Sequence, residues 1–407
     1  MKGNDDGLSR RKFLERASAA LGAAALGAAC GSDGESNTGG AGSGGASGGS
    51  AGSAGSGGTA GSGASGSAGV SGAGGGSTDG GNPTQVSVSV VHRDNLDEAV
   101  AKAVELAGGI EEIQPGDTVF IKPNAVNDRA LGTFGIRTNP EVLGAVVRLV
   151  KQRNPGRIIV GDRSARTFPD TARILDVTGL AAAALAAGAD EIYAGRSPVD
   201  APDEWVLLQP PHFEETWGSA GGLLAMRKIL DADHLINVPV CKDHRYALFS
   251  MSMKCFVGAI GDATRGPLHF ASSTAGNFGP IGRDIAVMNQ MFSPLLNVLD
   301  VTTALINGGP EGDGTDAVRT TPGLICASRN RAALDAIGVS LIKLELSRTT
   351  VPRADPANAT LRQQSPWQMP QIVNAGLLGF GVAGQDAVTL LFDQVADAAE
   401  LERIYRS

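Results

Sequence analysis

The chain has 407 residues, a formal net charge of −8 and 42% hydrophobic residues. The acidic balance argues against a nucleic-acid partner, which selects clustered surplus Lys and Arg. The four cysteines, Cys30, Cys241, Cys255 and Cys326, contain no C-x-x-C pair, so neither an iron–sulfur motif nor a zinc ribbon is present. No other cofactor follows from the sequence, and the three globular cysteines read as buried, inert thiols.

Ser9-Arg10-Arg11-Lys12-Phe13-Leu14 matches the twin-arginine export consensus, and a weakly apolar run from Ala17 to Ala29 follows it. A run this short cannot span a bilayer, which needs ~20 residues, but a basic start, a short apolar middle and a small-residue end are signal-peptide anatomy. Residues 1–29 are therefore expected to direct export, with the twin-arginine translocon as partner and a site outside the cytoplasmic membrane as destination. Gly27-Ala28-Ala29-Cys30 resembles a lipoprotein processing box, with Gly27 where Leu is usual. A lipid on Cys30 would be the sole membrane attachment; cleavage without lipidation would release the protein.

Residues 30–83 read as a flexible linker. From Gly31 to Gly81 there are 23 Gly among 51 residues, and Val70 is the only large aliphatic. Such a segment buries too little surface to offset its ordering entropy. As a coil it would reach roughly 40 Å. Its G-x-S-x-G matches, at Gly45–Gly49 and Gly48–Gly52, lack the strand–turn–helix context of a nucleophile elbow.

From residue 84 to 407 the pattern alternates. Strands are expected at Val86–Val91, Thr118–Ile121, Arg157–Val160, Leu235–Val240, Val298–Ile306, Leu324–Ala327 and Val388–Phe392. Helices are expected at Leu96–Ala107, at Pro140–Gln152 behind an Asn139 cap, and at Arg331–Leu344. The alternation predicts an α/β domain: a largely parallel or mixed sheet flanked by helices, as one domain or two joined lobes.

Ligands of such sheets bind beyond the carboxyl ends of the strands. Four apolar strands run into polar residues there: Lys122-Pro123-Asn124, Gly161-Asp162-Arg163-Ser164, Cys241-Lys242-Asp243-His244, and Asn307-Gly308-Gly309-Pro310-Glu311-Gly312. They predict a polar crevice. Lys254, inside the apolar run Ser250–Gly258, either snorkels to the surface or points at an anion, because an unpaired buried ammonium is costly.

With Thr138-Asn139-Pro140, Met253-Lys254-Cys255-Phe256-Val257-Gly258, Leu268-His269 and Leu334-Asp335-Ala336, these motifs resemble the domain-of-unknown-function 362 family from Val86 to Leu344, in the family's order. The family usually has Asn where Cys255 stands. Many relatives carry a Cys-rich ferredoxin-like segment; this chain has none, so their redox roles do not transfer. The resemblance implies the fold and the location of the site, and no reaction.

Three functional expectations follow. The first is an enzyme-type site for a small anionic ligand. Lys122, Lys242 and Lys254 would hold its oxygens, with Asn124, Asn307 and Glu311 among the ligand-binding residues and His244 or Asp162 moving a proton. The second is a tethered binding protein without catalysis. The third is a metal or redox site drawn from Asp162, Asp243, His244, His269, Cys241 and Cys255. No P-loop, dinucleotide fingerprint or H-E-x-x-H motif narrows the reaction.

Overall fold

The computed structural model describes residues 85–270, 276–353 and 356–407; Arg10, Arg11 and Cys30 lie outside them. Thirteen strands are described: β1 (Val86–His92), β2 (Thr118–Pro123), β3 (Arg157–Asp162), β4 (Glu191–Ala194), β5 (Trp205–Leu208), β6 (Leu223–Met226), β7 (His234–Val238), β8 (Val240–His244), β9 (Leu248–Ser250), β10 (Leu296–Asn307), β11 (Val318–Thr320), β12 (Leu324–Ser328) and β13 (Val388–Asp393). Eleven form one sheet with the path β13-β1-β12-β10-β7-β2-β3-β4; β8 and β11 also pair with β10, and β9 pairs with β8. β5 and β6 make a separate hairpin.

The sheet is mixed. From β10 through β7, β2, β3 and β4 every pairing is parallel, whereas β12 runs antiparallel to both β10 and β1. The two faces follow from the pleat. Val119 and Ile121 pack with helices Leu96–Leu106 and Pro140–Lys151, while Phe120 between them packs into the opposite core. The second core is built around the helix Arg331–Arg348, which is buried on nearly every side from Arg331 to Ile342. Asn95, Asn139 and Asn330 cap their helices by accepting backbone N–H groups of the first turn. The described residues form one compact unit.

The strand expected at Leu235–Val240 is two strands. Pro239 has no N–H for the ladder, so the chain steps there from β7 to β8. β7 pairs with β2 and β10, whereas β8 pairs with β10 and β9. The step carries Lys242 and His244 beyond the edge at which β2 and β3 end. None of the described helices is long and apolar enough to cross a membrane.

Candidate functional site

Beyond the ends of β2, β3, β8 and β10 lies a cavity of about 260 Å³. Asn124 follows β2, Asp162 ends β3, Lys242 and His244 share one side of β8 at i and i+2, and Glu311 follows β10. Lys254 and Cys255 reach it from the short helix Ser252–Cys255. Six of the eight residues singled out from the sequence as ligand-binding or proton-moving therefore share one wall.

The other two do not. Lys122 is fully buried behind the wall, where its ammonium meets Asp162 Oδ1 at 2.5 Å and donates to the Pro123 carbonyl at 3.1 Å. The other carboxylate oxygen of Asp162 accepts the Ala125 N–H at 2.8 Å. The ammonium is saturated, so Lys122 supports the site and does not face a ligand, and each Asp162 oxygen already accepts one hydrogen bond from within the fold. Asn307 spends its amide on the Asp316 and Arg353 carbonyls and accepts from Asn358, which fixes the loop after β10. A Cβ at Gly258 would collide with Asp162 Oδ1 and Lys122 Nζ, so only glycine lets the Lys254-bearing segment lie against this pair.

The wall is short of negative charge. Five cations line it (Arg163, Arg166, Lys242, Lys254, Arg265) with two carboxylates, Asp162 and Glu311. The carboxylates already pair with Lys122 and Arg245. Lys242 is 1% exposed and donates to the Ile136 carbonyl at 2.5 Å. Burial pushes its amine down to about 7, and the Lys254 charge adds to the shift. Lys254 is 7% exposed and makes no hydrogen bond or ion pair among the described residues. Burial, then Arg265, pushes it down to about 8, with Glu311 and Cys255 opposing. Asp335, buried in the Arg331–Arg348 helix, accepts the N–H groups of Ser252 and Met253 and so sets the turn that carries Lys254.

His244 accepts the Tyr246 N–H on Nδ1 at 3.2 Å, which leaves its proton on Nε2; burial and the nearby Lys254 charge hold it well below the usual imidazole range. His269 faces the Arg265 carbonyl through Nδ1 at 2.9 Å, and burial pushes it down to about 4. The Cys255 thiol donates to the Pro123 carbonyl, and burial raises it to about 11, so it is no thiolate. Cys241, Cys255 and Cys326 are free and buried. The side-chain amide of Asn124, 8% exposed, makes no hydrogen bond among the described residues, and its Oδ1 is buried without a partner. Among the described residues no three of His, Cys, Asp and Glu converge as a metal site.

Arg265 and Asp335 were missed as site residues. Arg265 lies four residues before His269 on one helix, a spacing that puts both on one face, and it fastens the carbonyls of Ile260, Arg163 and Ser164. Asp335 is an acid inside an otherwise apolar helical run.

The family model described as Domain of unknown function (DUF362) matches residues 119–340. A thylakoid-associated protein from Synechocystis sp. is 28% identical over 247 residues, which cover 60% of this chain and 68% of that protein. Among solved structures, the lactate racemase apoprotein from Thermoanaerobacterium thermosaccharolyticum matches 52% of this chain and 49% of its own, at 14% identity and a TM-score of 0.35. A Thermotoga maritima protein matches 50% and 49%, at 13% identity and a TM-score of 0.30. The chain thus spans about half the length of these structures, and overlays this loose carry no argument about activity. The matched stretch takes in β2, β3, β7, β8, β10 and the Lys254 turn, more than half of the chain, and with it the chain belongs to the DUF362 family.

Proposed function

We propose that this is an exported, lipid-tethered protein whose cavity binds a small carboxylate or phosphate and moves a proton on it. The observation that carries the ligand reading is Lys254, an amine 7% exposed on the cavity wall with no counter-ion within 4 Å among the described residues. A buried charge without a partner is expensive, and an anion would supply the partner that the fold withholds. The unpartnered Asn124 amide would hold a polar group on the same ligand. Lys242, which titrates near neutrality, supports proton transfer rather than passive capture. It takes the role first expected of Asp162, while neutral His244 is suited to donate a hydrogen bond from Nε2.

Thermal melting of the full chain with phosphate and a panel of small carboxylates tests the reading. An anion at ~100 times its dissociation constant stabilises by about 2.7 kcal/mol. Flat melts across the panel would remove the anionic ligand. The location rests on the Arg10-Arg11 pair and on Cys30. Changing both arginines to lysine should strand the precursor in the cytoplasm, because lysine lacks the guanidinium fork. Cys30→Ser should shift the protein from the membrane to the soluble fraction. Normal export of the first variant, or a wild type already in the soluble fraction, would refute the corresponding step.

A further inference from the structure

Lysine can serve a cavity as a cation or, without its proton, as a nucleophile. The two lysines on this wall are held differently. Lys242 is tied to the Ile136 carbonyl, an acceptor that an ammonium satisfies and that fixes its direction. Lys254 has no acceptor to satisfy: it is 7% exposed, free of hydrogen bonds among the described residues, and mounted on a turn whose first N–H groups are fixed by Asp335. A buried amine with neither acceptor nor counter-ion loses nothing by shedding its proton, and a second cation on the same wall favours the loss.

We infer that Lys254 is an imine-forming amine for a small oxo acid whose carboxylate faces the guanidinium charges of Arg166 and Arg265 on the same wall. This rests on the anion-binding reading and names the ligand class within it. The Lys254 Nζ lone pair adds to the carbonyl carbon, forming the C–N bond, while the carbonyl π electrons pass to oxygen. The two amine hydrogens then leave with that oxygen as water, and C=N remains; nothing is oxidised or reduced. The Asn124 amide, on the same wall and without a partner, is placed to hold the hydroxyl of the intermediate adduct. The downward shift of Lys254 to about 8 agrees with this geometry, since it makes the neutral amine accessible near physiological pH.

The test is reductive trapping on the full-length wild type, with glyoxylate or pyruvate and cyanoborohydride, read by intact mass and peptide mapping. The expected result is one dominant adduct, on Lys254, formed on the order of tenfold or more faster than on Lys102 and Lys151, which ion pairs with Glu105 and Asp190 hold outside the cavity. Excess acetate or phosphate should slow it, and Lys254→Met should abolish it. Even labelling of surface lysines, or a dominant adduct on Lys242, overturns the assignment. Melts that respond to acetate or phosphate without a Lys254 adduct would leave the anion cavity standing and remove the amine role. A Lys254 adduct with melts indifferent to simple anions would do the reverse.

Discussion

The wall of the cavity and the support behind it both bury lysine, with opposite energetic consequences. Lys122 has a carboxylate at 2.5 Å, a carbonyl at 3.1 Å and no exposure, so its charge is compensated within the fold. Lys254, in contact with the same part of the molecule, has no such partner among the described residues. Burial alone does not distinguish a structural lysine from a functional one; the completeness of its partner set does. A saturated pair stabilises the framework, and an unsaturated amine stores a cost that only a ligand or deprotonation relieves.

The largest expected effect comes from breaking the saturated pair. Lys122→Met leaves the Asp162 carboxylate buried and uncompensated, which should cost about 3–5 kcal/mol in denaturant unfolding, and Asp162→Leu added to it should recover much of the loss. A loss near zero for the single change would erase the distinction between support and wall.

The smaller effect has the opposite sign. Lys254→Met should stabilise the ligand-free protein by about 1–3 kcal/mol at pH 6 and remove the response to anions. The gain should depend on pH. The amine of Lys254, faced by Arg265, Glu311, Cys255 and Lys242, titrates at about 8 in the fold against an ordinary 10.5. Unfolded chains therefore bind the proton more tightly. The penalty of the charge is full below about pH 8 and fades as pH rises toward 10.5. Unfolding midpoints of variant and wild type should draw together between pH 6 and pH 10. A constant gap would assign the gain to packing instead of charge.

The strands were legible where apolar, β-branched runs stand alone: β1, β2, β3, β10, β12 and β13 fall within a few residues of their expected places. The Leu180–Ala186 helix was not, because Leu-Ala-Ala-Ala-Ala-Leu-Ala has no amphipathic period to read, and β4 to β6 are too short for one. The antiparallel seam at β12 depends on pairings with β10 and β1 that no local pattern encodes. At the site, the strand-end rule found Asn124, Asp162, Lys242, His244 and Glu311. It could not exclude Lys122, because the partner that saturates it lies 40 residues away. Nor could it exclude Asn307, whose side chain is consumed by Asp316, Arg353 and Asn358, the last two more than 40 residues further on.

Gly258 has a mechanical consequence. Its carbonyl accepts the Arg163 N–H at 3.1 Å, and its missing side chain lets the backbone rest on the Lys122–Asp162 pair. Any excursion that lifts the Ser252–Ala259 segment must open that pair to water and release Asp335 from the Ser252 and Met253 amides. The segment therefore has no cheap local opening of its own. Its amides should exchange with solvent as slowly as those of the central strands.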